Sequence, residues 1–192
     1  MDTKKDNRDR LIRIAAHLFR TRGFHATSMN DISREMGIRK SSIYYYIKSK
    51  DDLLFDISRI TTEMLIPVAE EAAFSDLEPE KKLRLIIDNH VKLIAENFDF
   101  FFTSLHELQS LTERKQEVLD IRDRYERLVR GIIRSGIQNG TFRDIDVKIA
   151  TFTLLGMMNW MIRWYHADGP ISYEEIADIF SEIFINGIKK VN

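Results

Sequence analysis

Ser28 with Asp31, Ser49 with Asp52, and Ser172 with Glu175 each set a serine three residues ahead of an acid, at the head of a stretch with helical character. At that spacing the serine hydroxyl accepts from the backbone N–H three residues on, and the acid reaches back to the serine N–H. Each pair therefore satisfies donors that the start of a helix leaves unbonded. Apolar residues follow at helical intervals, Ile32 and Met36 after the first box and Ile176, Ile179, Phe180, Ile183 and Phe184 after the last. No convincing strand is found, and three prolines with eight glycines leave little room for long loops. The chain is expected to be all-α, with about nine helices.

The same signals place those helices. Leu11, Ile12, Ala15, Ala16, Leu18 and Phe19 mark a helix over 8–22 that Gly23 stops, with a frayed polar stretch at 1–7. The helix opened by Ser28 ends at Gly37, a short one covers 41–46, and a long one runs from Ser49 toward residue 74, broken at Pro67. Pro79 opens an amphipathic stretch to Ala95, and the cluster Phe98, Phe100, Phe101, Phe102, Leu105 and Leu108 forms a short apolar helix. Helices over 112–138, 146–166 and 172–187 complete the pattern, separated by Asn139-Gly140 and Asp168-Gly169-Pro170. A small unit at 1–50 and a larger bundle at 51–192 are expected.

Charge is divided along the same line. Residues 1–50 hold twelve Lys/Arg against five Asp/Glu, a surplus of +7, whereas the remainder carries −8. A basic N-terminal quarter on an acidic chain suits a local phosphate-binding surface rather than general polyanion binding. The absence of cysteine excludes disulfides and thiolate chemistry and fits a reducing cytoplasm. No secretory leader is visible, and the most apolar run, 14 residues from Phe152 to Tyr165, is short of the roughly 20 needed to span a bilayer. Association with a membrane is not expected.

Residues 28–50 are those of a helix-turn-helix. Gly37 permits the tight turn, and Ile38 and Ile43 face inward, leaving Arg39, Lys40, Ser41, Ser42, Tyr45 and Tyr46 to project. Lysine and arginine donate to guanine O6 and N7, serine donates or accepts, and an aromatic edge rests on a thymine methyl. Ser28 with the amides it caps suits a phosphate oxygen, as do the Tyr44 hydroxyl and the Lys50 ammonium. Successive helix positions point about 100° apart, so Tyr44, Tyr45 and Tyr46 cannot all enter one core.

These residues carry a resemblance. The pattern Ala-x-x-Leu-Phe-x-x-x-Gly-Phe-x-x-Thr at 15–27, Ile-Ser-x-x-Met-Gly-Ile at 32–38 and Ser-Ile-Tyr-Tyr-Tyr-Ile-x-Ser-Lys-x-x-Leu at 42–53 resembles the DNA-binding domain of the TetR family of bacterial transcriptional repressors. Ile47 stands where an aromatic is common and Met36 where alanine is frequent, neither on the DNA face. The resemblance implies that Asn30, Lys40, Ser41, Ser42 and Tyr45 lie near base edges, and that Ser28, Tyr44, Tyr46 and Lys50 meet the backbone. It also implies a homodimer through the last two helices, residues 146–187, on a palindromic operator. The helix at 146–166 supports that pairing independently, being apolar nearly all round.

The resemblance further implies an effector pocket in the C-terminal bundle. Candidate lining is Phe98, Phe101, Phe102, Met157, Trp160, Met161 and Trp164, with His90, His106, Gln109, Arg122, Asn159 and Arg163 as polar members. Flexible methionines and phenylalanines suit a long apolar ligand, though they equally make plain core. The string Gly-Met-Met-Asn-Trp-Met-Ile-Arg-Trp-Tyr at 156–165 resembles the subgroup that senses acyl-coenzyme A thioesters, in which Arg163 would meet an anionic part of the ligand.

Two other classes are weighed against a regulator. An enzyme is not expected: the five histidines are scattered, His106-Glu107 lacks the second histidine of a zinc-protease helix because residue 110 is serine, and no phosphate-cradling loop or nucleophile elbow appears. No catalytic residue, metal site or cofactor is assigned. The remaining alternative is a helical protein-protein adaptor, which would form no specific DNA complex.

Overall fold

Helix formation begins five residues earlier than the apolar periodicity indicates. In the computed structural model, which describes residues 3–190, α1 spans Thr3–Arg22. Residues 3–7, read from sequence as frayed, are helical; Met1 and Asp2 lie outside the described residues. Two causes extend the helix. Asp6 in the first turn complements the helix dipole, and the Arg8 guanidinium binds the largely buried Asp56 carboxylate, docking the turn that follows.

Two compact units result, the first made of the described residues up to Thr61 together with Asp99–Leu119. After α1 come α2 (Met29–Met36), α3 (Lys40–Ile43) and α4 (Lys50–Glu63). Ser28 caps α2 with the full box, and Gly37 ends it at φ 74, a left-handed conformation that strains any residue with a Cβ. The regular part of α3 is shorter than expected. Beyond Ile43 the chain continues to Tyr46 in turns closed by three-residue bonds, Tyr45 N–H to Ser42 O and Tyr46 N–H to Ile43 O. Leu11, Ala15, Phe19, Ile32, Ile43, Leu54 and Ile57 form the core, joined from far along the chain by Leu111 and Val118.

Those two residues arrive on α7 (Phe98–His106), a 3-10 turn at Leu108–Ser110 and the start of α8 (Lys115–Gln138). The expected helix start at residue 112 is displaced by three residues. Arg114 adopts φ 58, and its guanidinium lies 3.4 Å from the Phe55 ring centroid while pairing with Glu117. That turn lets both Leu111 and Val118 reach the core.

The second unit holds Thr62–Phe98 and the residues from Asp120 onward. Its helices are α5 (Ile66–Phe74), α6 (Pro79–Glu96), the body of α8, α9 (Val147–Asn159) and α10 (Tyr173–Ile188). Pro67 sits in the first turn of α5, where its missing N–H costs nothing, so the break anticipated there falls just before it. α9 is shorter than expected and passes at Trp160 into a 3-10 turn ending at Arg163. α10 packs along α6, and Leu83, Ile87 and Val91 of α6 and Ile176, Ala177 and Phe184 of α10 are buried in this unit. Ten α-helices and two 3-10 turns are present among the described residues, and the extended pairing there is one antiparallel bridge between Phe142 and Lys189. The fold is all-α.

Candidate nucleic-acid interface

The reading surface is built by pinning a very short helix from beneath. Ile43 is fully buried and Ile47 nearly so, which fixes α3 and turns Lys40, Ser41 and Ser42 outward. Tyr45 is 66% exposed and Tyr44 about half, whereas Tyr46 is half-buried against the core with its ring edge-on to Tyr45 at 5.2 Å. Two of the three tyrosines thus face solvent, where the 100° rotation between helix positions requires at least one, and Tyr46, expected to project, is the one turned toward the core. Asn30 is exposed on α2, and neither Lys40 nor the neighbouring Arg39 has an ion-pair partner among the described residues, so both charges face outward uncompensated.

Ser28 and Lys50 have local duties. The Ser28 hydroxyl accepts from the Asp31 amide at 3.2 Å, and the Ser28 amide donates to the Asp31 carboxylate at 2.9 Å. The Ser28 hydroxyl, then its amide, hold the Asp31 carboxyl below the usual carboxylate range, with Arg34 and Arg22 acting in the same direction. The Lys50 ammonium, placed by sequence on the DNA backbone, donates to the carbonyls of Phe24 at 2.7 Å and Thr27 at 2.9 Å. It also lies 4.3 Å from the Phe24 ring centroid. An ammonium has three protons, and these bonds occupy two.

The candidate effector residues fall into both units. In the first, Phe101 is buried, Phe102 stacks on the exposed His106 ring at 4.3 Å, and the exposed Gln109 accepts from Lys115. In the second, Phe98 tilts against Tyr165, Met161 is fully buried, Met157 is half-buried, and burial pushes the Arg122 guanidinium down. Trp160, Arg163 and Trp164 are exposed on the outer side of the 3-10 turn, Trp160 at 63% with the Arg163 guanidinium 5.7 Å from its ring centroid.

Three helices bring His90, Tyr125 and Asn159 together. His90 Nδ1 lies 3.0 Å from the Tyr125 hydroxyl with the two rings edge-on at 5.6 Å, and Asn159 acts on the imidazole from α9. Tyr125 was legible only as part of an apolar stripe on α8; its polar partner lies 35 positions away on α6. Burial pushes His90 down to about 4, with Asn159 only partly opposing it, and pushes the Tyr125 hydroxyl up. His90 is therefore neutral at ordinary pH.

The linkage has a definite sign. A histidine near 6.5 in the unfolded chain takes up a proton that the folded protein refuses. The stability contributed by neutral burial is complete above about pH 6.5 and declines as pH falls toward about 4, by roughly 3 kcal/mol in total. We expect His90→Gln to flatten this part of the profile. Urea unfolding of both proteins at pH 7 and pH 4.5 checks it; equal acid losses in the two would remove His90 as the cause.

Comparison with known proteins agrees with this geometry. A family model described as bacterial regulatory proteins, tetR family, matches residues 11–57, and one described as tetracyclin repressor-like, C-terminal domain, matches 76–188. The chain is 28% identical to the HTH-type transcriptional repressor KstR2 of Rhodococcus jostii (strain RHA1), over 96% of this chain and 92% of that protein. It is 25% identical to the fatty acid metabolism regulator protein of Bacillus subtilis (strain 168), over 98% of each. Among solved structures, the TetR family transcriptional regulator PfmR from Thermus thermophilus superposes with a TM-score of 0.88 at 35% identity, covering 95% of this chain and all of that one. An N-terminal helix-turn-helix with an outward-facing Lys40–Tyr45 surface, matched together with the C-terminal domain, places this chain in the TetR family of bacterial transcriptional regulators, as a DNA-binding repressor and not an enzyme.

Proposed function

We propose that this repressor works in the cytoplasm as a two-fold dimer on a palindromic operator, and leaves it when an acyl-coenzyme A or similar amphipathic effector enters the C-terminal bundle. The observation that carries the DNA reading is the surface of α3, where buried Ile43 fixes the exposed Lys40, Ser41, Ser42 and Tyr45. These side chains, with Asn30, read base edges. Ser28, Tyr44, Tyr46 and the third proton of Lys50 face phosphates.

Dimerisation is supported by an apolar face left uncovered on one chain. Ile149, Phe152, Trp160 and Trp164 line one side of α9 and its 3-10 extension, and Ile179 and Ile183 line α10; all are substantially exposed. An open groove lined by Ile149, Met157, Ile183 and Phe184 runs along this face. Patches of this kind mark association surfaces, and a two-fold partner would bury each residue twice. Two reading helices held in that way set the spacing of the operator half-sites.

The acyl reading of the effector is supported by the apolar, methionine- and phenylalanine-rich bundle and by the name of the Bacillus subtilis relative, a fatty acid metabolism regulator. The effector acts by population shift, binding the state with separated reading helices better than the DNA-competent one.

One experiment tests the reading in sequence. Genomic fragments selected by the purified protein should share a palindrome. The double variant Lys40→Ala, Tyr45→Ala should bind it about 1,000-fold more weakly or worse, since each base contact contributes about 1–3 kcal/mol and both half-sites lose two. Long-chain acyl-coenzyme A at micromolar concentration should release the wild-type complex. Fragments without a common sequence, or a double variant of unchanged specificity, would overturn the operator reading; release by neither acyl-coenzyme A nor free fatty acid would remove the effector class.

A further inference from the structure

The turn between α1 and α2 is held from two sides by groups distant in sequence. The Phe24 amide donates to Glu107 Oε1 at 3.2 Å, and the Phe24 carbonyl accepts from the Lys50 ammonium at 2.7 Å. Glu107 is itself fixed, its second oxygen accepting from the Ser110 hydroxyl at 2.9 Å, and that hydroxyl lies 3.2 Å from His25 Nε2. On the far side of the turn Lys50 also binds the Thr27 carbonyl, and the buried Thr27 hydroxyl donates to the Gly23 carbonyl at 2.8 Å. The next residue is Ser28, the cap of α2.

We propose that Glu107 is a positioning residue for DNA binding. With Lys50 it grips the two sides of residue 24, which sets the path of the turn and therefore the direction in which Ser28 and the first amides of α2 face a phosphate. Glu107 touches no DNA in this scheme. The inference rests on the operator reading above, and it runs against simple electrostatics: removing an acid near a polyanion ordinarily strengthens binding, because the like-charge repulsion goes. Here the loss of a charge-assisted bond to an otherwise unsatisfied amide outweighs that gain.

The test is operator affinity across a salt series for full-length wild type and three variants. Glu107→Ala should bind about 10-fold more weakly, the equivalent of one charge-assisted hydrogen bond, with the slope of log affinity against log salt unchanged because no phosphate contact is lost. Glu107→Gln keeps an acceptor oxygen for the Phe24 amide and should stay within about 3-fold of wild type. Asp99→Asn weakens the contacts of α7 with His17 and Arg20 without touching the turn, and should leave affinity unchanged at whatever cost in melting temperature. Tighter or unchanged binding by Glu107→Ala, or equal weakening by Asp99→Asn, would overturn the proposal. A wild type that selects no operator would instead overturn the reading on which it rests.

Discussion

Gly136→Ala should destabilise the protein by about 2 kcal/mol or more, although alanine favours a helix over glycine by about 1 kcal/mol. A Cβ at this position of α8 would fall within the side of the Phe142 ring and 3.0 Å from Pro79 Cβ. That ring is 1% exposed and has nowhere to move. Its backbone is fixed by an N–H bond to the Gly136 carbonyl at 2.8 Å, and the neighbouring Arg143 amide binds the Ile188 carbonyl at 2.9 Å. The chain between α8 and α9 is thus folded back over the helix at a point where the helix has no side chain. Gly131 on the same helix provides the control, since nothing lies within 4 Å of a Cβ there. Gly131→Ala should be neutral to stabilising by up to about 1 kcal/mol. Each kcal/mol moves the melting temperature of a chain this size by about 2–4 °C, so the two variants should separate by several degrees. Equal melting temperatures would contradict the packing argument.

Ile183→Glu should convert the proposed two-fold dimer to monomer and lower operator affinity by at least about 100-fold. In a single chain this residue is 62% exposed, and a charge there would be tolerated at no more than about 0.5 kcal/mol. In a two-fold dimer the same change removes two buried isoleucines, about 1.5–3 kcal/mol each, and sets two carboxylates in an apolar seam. Loss of the dimer then separates the half-site contacts, which no longer share one binding event. Sedimentation at micromolar concentration measures the first effect and operator titration the second. A variant that remains dimeric and binds normally would place the interface elsewhere; one that unfolds would show itself in the helical signal, and Ile149→Glu on the facing side of the groove then repeats the test.

What could be read in the sequence was mainly what is local. Ser28 and Ser172 cap their helices with partners three residues away, and Gly37 ends α2 at a positive φ that its own lack of a Cβ announces. Pro67 announced a break because a missing N–H acts on its own turn. The reach of residues 99–119 was not legible. Leu111 and Val118 belong to a core whose other members lie some fifty or more positions earlier, and no periodicity records which core an apolar residue will enter. The same limit applied to the site. Ile43 beneath α3 and the exposure of Tyr45 followed from helix geometry, but the use of Lys50 depended on where the Phe24 and Thr27 carbonyls come to lie. Arg114 was hidden for a related reason: its left-handed backbone is stabilised by Phe55 and Glu117, only one of which is near in sequence.

The uncovered face of α9 has an optical consequence. The chain has two tryptophans, Trp160 and Trp164, and both stand on that face with much of their indole in solvent. No indole is buried in the core of either unit to add a constant background. The intrinsic ultraviolet emission of this protein is therefore a direct gauge of whether that face is wet or covered, and it needs no label.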